Sequence, residues 1–141
     1  MLKLKNILGF LTSPRAPSAA ELELERARLD GERKGALSHA YGFISRGNRA
    51  GGIHHIEKYL EESEACHPTA GLWFFKEMME WEYPDAALAF GRDLIGRLLR
   101  AGFAPEARKI LLQCKQLDER FLPRPEDQIP LATTPTDATQ P

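Results

Sequence analysis

The chain has little cysteine, no long apolar run and no excess of charge of either sign. Only Cys66 and Cys114 occur and they form no CxxC pair, which argues against a disulfide framework and fits a reducing, cytoplasmic compartment. Each cysteine reads as a small core residue. The apolar run ILGFL within the N-terminal LKLKNILGFL is too short for a signal h-region or a membrane span, so no segment is expected to cross a bilayer. Lys and Arg number 19 against 20 Asp and Glu, a net charge of -1, so there is no global basic field to drive nucleic-acid binding by counterion release. There is no phosphate-binding Gly-rich loop after a strand, no GxSxG and no HExxH, and no cysteine carries a nucleophile signature. No cofactor is implied.

What is present suits one soluble domain: 43% apolar residues supply a core of ordinary size, and 28% charged residues supply its surface. Residues 1–20 read as an amphipathic N-terminal segment followed by the linker TSPRAPSAA. Residues 123–141 carry five prolines and almost no large apolar side chain after Leu131, and read as a disordered Pro-rich tail. Between them, residues 21–122 have an apolar period near 3.6, scarce β-branched residues, and Gly and Pro at intervals suited to helix ends. The expected class is all-α. Five helices are expected near 21–46, 51–65, 69–82, 85–101 and 105–121, the first with a break at Gly31 or Gly35. In YPD and APE a proline near the first turn is followed by an acid that suits the helix dipole. Short links between helices imply a stack of antiparallel αα-hairpins.

Two stretches share a grammar. Four residues before Gly47 and Gly102 lie Phe43 and Leu98; five after lie Gly52 and Ala107; then come Ile56 and Leu111, Tyr59 and Cys114, Pro68 and Pro123. That is an inter-helix turn at Gly, a small residue where two helices cross closely, one-turn steps along a buried face, and a closing proline. LLRAGFAPEARKILLQCKQLDERFLP, with Leu94, Leu98, Gly102, Ala107, Leu111 and Cys114 on the packing positions, resembles the tetratricopeptide repeat. The copies stand 55 residues apart rather than thirty-odd, with a helix between them that the family lacks. The resemblance implies a superhelical adaptor that holds a partner peptide or helix. One version of the family clamps a C-terminal carboxylate; the positions in that register hold Lys34, Leu37, Tyr41, Arg92 and Gly96, of which Lys34 and Arg92 suit the task.

GLWFFKEMMEWEYP, residues 71–84, is the densest aromatic stretch. On a wheel of 100° per residue Phe74, Phe75, Met78, Met79, Trp81 and Leu72 share one half, expected at the centre of the stack. Trp73 points into the face of Lys76, Glu77 and Glu80, where it either packs on the next hairpin or anchors a partner. In DAALAFGRDLIGRLLR the arginines Arg92, Arg97 and Arg100 lie opposite the apolar side, as a solvated face or as a docking strip for an acidic peptide or anionic lipid. His54 and His55 are adjacent and point about 100° apart, so they do not chelate together. His54 shares an exposed side with Glu57, Lys58 and Glu61, and His55 a flank with Glu62 and Cys66.

Three functions follow in order of support. The first is a non-enzymatic adaptor that binds a partner peptide or helix through Trp73, Lys34, Tyr41, Arg92, Arg97 and Arg100, with self-association to cover open apolar edges. The second is a peripheral membrane-associated regulator: as a helix, residues 1–11 group Leu4, Ile7, Leu8 and Leu11 between Lys3 and Lys5. The third is a metal-dependent enzyme around His55, Cys66 and His67.

Overall fold

Helical apolar spacing governs the chain's local structure. The computed structural model describes residues 16–62, 67 and 69–132. Among them the regular elements are six helices: α1 Ala19–Ser45, α2 Arg49–Glu62, α3 Ala70–Met79, α4 Pro84–Arg100, α5 Ala104–Leu117 and α6 Pro125–Ala132. No strand occurs among the described residues, so the fold is all-α. The amphipathic segment 1–11, Cys66, and the tail beyond residue 132 lie outside the described residues.

Two compact units divide the chain, residues 1–35 and 36–141. In the first, α1 starts at a capping box: the Ser18 hydroxyl accepts from the Glu21 N–H at 3.1 Å, and the Glu21 carboxylate accepts from the Ser18 N–H at 3.0 Å. Ion pairs one turn apart follow, Arg28 with Glu25 and Glu32, and Asp30 with Arg33 at 2.9 Å and Lys34 at 2.8 Å. Hydrogen bonds from Arg28 to Glu25, and from Lys34 and then Arg33 to Asp30, hold both carboxyls below their usual range. The helix runs unbroken through Gly31 and Gly35, contrary to the expected break. Each glycine faces open space, so it lowers local helix stability without stopping the helix.

In the second unit α4 packs against α2, α3, α5 and α6. It buries Ala86, Ala87, Phe90, Gly91, Leu94, Ile95, Gly96 and Leu98, which wrap around much of its circumference. At Gly91 a Cβ would lie 2.7 Å from Cys114 Sγ and 2.8 Å from Phe75 Cε1, so the missing side chain admits α3 and α5 to one point. From α3, Phe74, Phe75 and Met78 are fully buried as expected. Met79 and Trp81 are only half-buried, because α3 stops at Met79 and Trp81 leaves the wheel that grouped it. The centre of the stack is α4.

Both repeat turns use a left-handed glycine, Gly47 at φ 90° and Gly102 at φ 88°. The Gly47 N–H donates to the Ile44 carbonyl at 3.0 Å and the Asn48 N–H to Phe43 at 2.9 Å; Gly102 donates to Leu99 at 3.2 Å and Phe103 to Leu98 at 2.8 Å. These are two Schellman closures with the same bonding. At Gly52 a Cβ would lie 2.7 Å from the Ala40 carbonyl oxygen, and in the second copy Ala107 is fully buried.

The sequence reading ends the folded part at residue 122 and counts five helices; the chain instead adds α6, packed on α4 and α5. Pro125 occupies a first-turn position, where a missing N–H does no harm, and Phe121, Pro123, Asp127 and Leu131 are buried. Proline content alone therefore misjudged residues 123–132.

Glycine-to-alanine substitution should change sign along the chain. Gly31→Ala should slow amide exchange in residues 19–35, consistent with about 0.5–1 kcal/mol of added helix stability. Gly102→Ala should lower the global unfolding free energy by roughly 1–2 kcal/mol, because alanine must adopt a left-handed conformation there. Equal signs at the two positions would contradict these assignments.

Candidate binding face along α2 and α4

The polar side of α2 meets α4 in a fixed register. Arg49 pairs with Asp85 at 3.1 Å and Glu61 with Arg97 at 2.7 Å, each partner thirty-six residues further along the chain. Glu57 and Asp93 stand at the same offset and line one cleft. Ile53 and Ala89, again at that offset, line one cleft. A constant difference in residue number means that the two helices run parallel, with one rung at every helical turn.

Two clefts open along this seam. The first, of about 310 Å³, is lined by Arg49, Ile53, His54 and Glu57 of α2, by Ala89, Arg92 and Asp93 of α4, and by Arg124 from the link before α6. The second, of about 420 Å³, has Leu60, Gly71, Leu94 and Ala101 as apolar lining and Glu61, His67, Arg97 and Arg100 as polar lining. A Cβ at Gly71 would lie 2.5 Å from Leu94 Cδ1, so the start of α3 is pressed against α4 there.

The charges differ in how far they are committed. Arg124 pairs with Asp93, and Arg97 with Glu61. Burial, and then the hydrogen bond and negative charge of Asp93, push the Glu57 carboxyl up to about 7. The wheel placed Glu57 on an exposed side; it is half-buried, because α4 covers that side of α2. Arg100 is exposed and forms no ion pair with the described residues.

Of the residues selected from sequence, Arg92, Arg97 and Arg100 do fall along these two clefts. Arg92 is not a free strip residue: its Nε donates to the Leu122 carbonyl at 3.0 Å and its guanidinium lies over the Phe121 ring at 4.7 Å. Gly96 faces Asp127, whose Oδ2 a Cβ would approach to 3.1 Å. The chain's own residues 121–127 therefore occupy the α4 positions that a carboxylate clamp would use. Tyr41 belongs to an aromatic group instead, with ring centroids 5.0 Å from Trp81 and 5.9 Å from Tyr83. Its hydroxyl donates to Glu82, which pushes the phenol up to about 12. Trp73 is half-buried and packed on the core, its ring edge-on to Phe74 at 4.9 Å. Lys34 lies in the first unit, on Asp30.

The histidines are dispersed. His55 stands edge-on to His39 at 5.3 Å, and burial followed by the charges of His39, Lys58 and His54 depresses its pKa. His67 Nδ1 is 2.7 Å from the Thr69 hydroxyl, with its ring 5.5 Å from Phe103. No group of three or more His, Cys, Asp or Glu suited to a metal occurs among the described residues. Cys114 is buried beside Gly91, and burial pushes its thiol up to about 12, so it is not a nucleophile at neutral pH.

Sequence reasoning missed Glu57, Asp93 and Arg124. Glu57 and Asp93 share the thirty-six-residue offset, which only a known pairing of helices makes visible, and Arg124 meets Asp93 from a link thirty-one residues further on.

Arg92→Ala should lower the unfolding free energy by about 1–2 kcal/mol, the combined worth of one hydrogen bond and one cation–π contact, and speed proteolysis near residues 118–124. Arg92→Lys should recover little of this, since lysine has no Nε donor in a planar fork. Unchanged stability in both would show that Arg92 serves only as a surface charge. Compared with known proteins, the chain matches no family model, no curated protein and no solved structure.

Proposed function

We propose that this chain is a non-enzymatic helical adaptor that docks an acidic segment of a partner protein against the α2/α4 face. The second cleft carries this reading: an apolar lining of Leu60, Gly71, Leu94 and Ala101 lies beside Arg97 and Arg100, and Arg100 is left without an ion pair among the described residues. A partner side chain with an apolar stem and a carboxylate complements both features. The repeated closure at Gly47 and Gly102 supports the kinship with tetratricopeptide-type helical repeats that the sequence suggests.

Catalysis is the less favoured reading because the two carboxyls that line the first cleft are Glu57 and Asp93, and Arg124 is bound to Asp93. No described helix is long and apolar enough to cross a membrane. In this reading the adaptor works in the cytoplasm.

Fluorescence anisotropy with a labelled peptide of alternating Glu and Leu, beside its Lys-for-Glu counterpart, tests the proposal. The acidic peptide should bind saturably and more weakly at high salt. Arg100→Ala should weaken it roughly fivefold, about 1 kcal/mol, without altering the melting temperature, and adding Arg97→Ala should weaken it further while also removing the Glu61 ion pair. Equal binding of both peptides, or binding indifferent to the two arginines, would remove the α2/α4 face as the docking site.

A further inference from the structure

The α2/α4 seam is complementary at three of its four rungs. Arg49 meets Asp85 and Glu61 meets Arg97 as ion pairs, and the apolar Ile53 and Ala89 line one cleft at the rung between Arg49 and Glu57. At the remaining rung an acid faces an acid, Glu57 against Asp93. That rung lies between the Ile53 and Glu61 rungs, so it cannot splay apart without disturbing both neighbours.

The cations around it are already engaged. Arg124, from the link before α6, pairs with Asp93; Arg97 of α4 pairs with Glu61 of α2; Arg49 pairs with Asp85; and Arg92 is held by the Leu122 carbonyl and the Phe121 ring. His54 shares the cleft on the α2 side. None of these forms an ion pair with Glu57. Two carboxyls that stand opposite each other across the seam, with the nearby Arg97 and Arg124 already paired to Glu61 and Asp93, cannot both stay ionised cheaply, so the pair holds one proton at pH values where isolated carboxyls have lost theirs.

We propose that the Glu57–Asp93 rung is a proton-operated catch between α2 and α4, closed while the two carboxyls share one proton and released when that proton leaves. Release puts two like charges across the seam. α2 then loosens from α4, and the Ile53/Ala89 and Leu60/Leu94 sides of the two clefts are the surfaces that open. This device belongs to the chain alone and stands whether or not a partner docks on the same face.

The sign follows from the direction of the shift. Burial and Asp93 raise Glu57 from the usual carboxylate range to about 7, so its contribution to stability is full at pH values below that range and is lost as pH rises through about 7. Asp127, raised by burial, has the same sign. His55, depressed by burial, has the opposite one and destabilises the fold as pH falls. Variants at the rung separate these contributions, since Asp127 and His55 remain in all of them.

The test uses the full chain. A carboxyl-carbon NMR titration should place the Glu57 midpoint near pH 7, and thermal unfolding should show the wild type melting several degrees lower at pH 8 than at pH 5.5. Glu57→Gln, whose amide can donate to Asp93 at every pH, should abolish most of that difference, and Asp93→Asn should reduce it independently while moving the Glu57 midpoint down, burial still holding it above the usual carboxylate range. Amide exchange, corrected for intrinsic rates, should accelerate in residues 53–61 at pH 8 in the wild type and not in Glu57→Gln. A Glu57 midpoint in the usual carboxylate range, or an undiminished pH difference in both variants, would overturn the proposal.

Discussion

At Gly91 two side chains from different helices, Phe75 of α3 and Cys114 of α5, converge on one point of α4 that has no room for a methyl group. That closeness brings α3 and α5 onto one seventeen-residue helix, which also contacts α2 and α6. Close approach is what makes dispersion and apolar burial effective, since a gap of even an ångström forfeits much of the attraction. The core of residues 36–132 grows outward from this crossing: Phe74, Phe75 and Met78 from one side, Ala107, Ile110 and Cys114 from another, and Phe121 and Leu131 beneath the last helix.

With so much of its surface taken by neighbours, α4 has few places for charge, and those it keeps are drawn into the seams. Asp93 faces Glu57 and binds Arg124; Arg92 holds the link ahead of α6; Arg97 ties down the end of α2. The arginine strip seen in the sequence is thus mostly a set of fasteners. Arg100, at the last turn, lines the second cleft with Leu60 and Glu61, and it is the member that is exposed and forms no ion pair with the described residues. Function, in the reading proposed above, begins where fastening ends.

How far the sequence disclosed this can be traced residue by residue. Helix positions were legible because the apolar period is local: five of the six helices among the described residues lie within a few residues of where the pattern puts them, and the paired glycine turns were visible as a repeated spacing. α6 was hidden because its prolines looked like disorder, although one of them starts the helix. The break expected at Gly31 or Gly35 did not occur, since a glycine's helix penalty is small beside the cooperativity of a 27-residue helix. The site was harder. Arg92 was selected as part of a docking strip, but its partner is a backbone carbonyl thirty residues away, which no side-chain pattern encodes. Glu57 was assigned to solvent because a wheel for α2 alone cannot know that α4 lies on that side.

The central claim is that close packing at one crossing organises the second unit, and a single substitution gives it opposite signs under opposite accounts. Gly91→Ala in a solvated helix interior would add about 1 kcal/mol of stability. The geometry instead predicts a loss of roughly 1–3 kcal/mol, because the new methyl must displace Cys114 or Phe75. Urea unfolding of the full chain decides between them: a lowered midpoint agrees with α4 as the hub, and an unchanged or raised midpoint contradicts it.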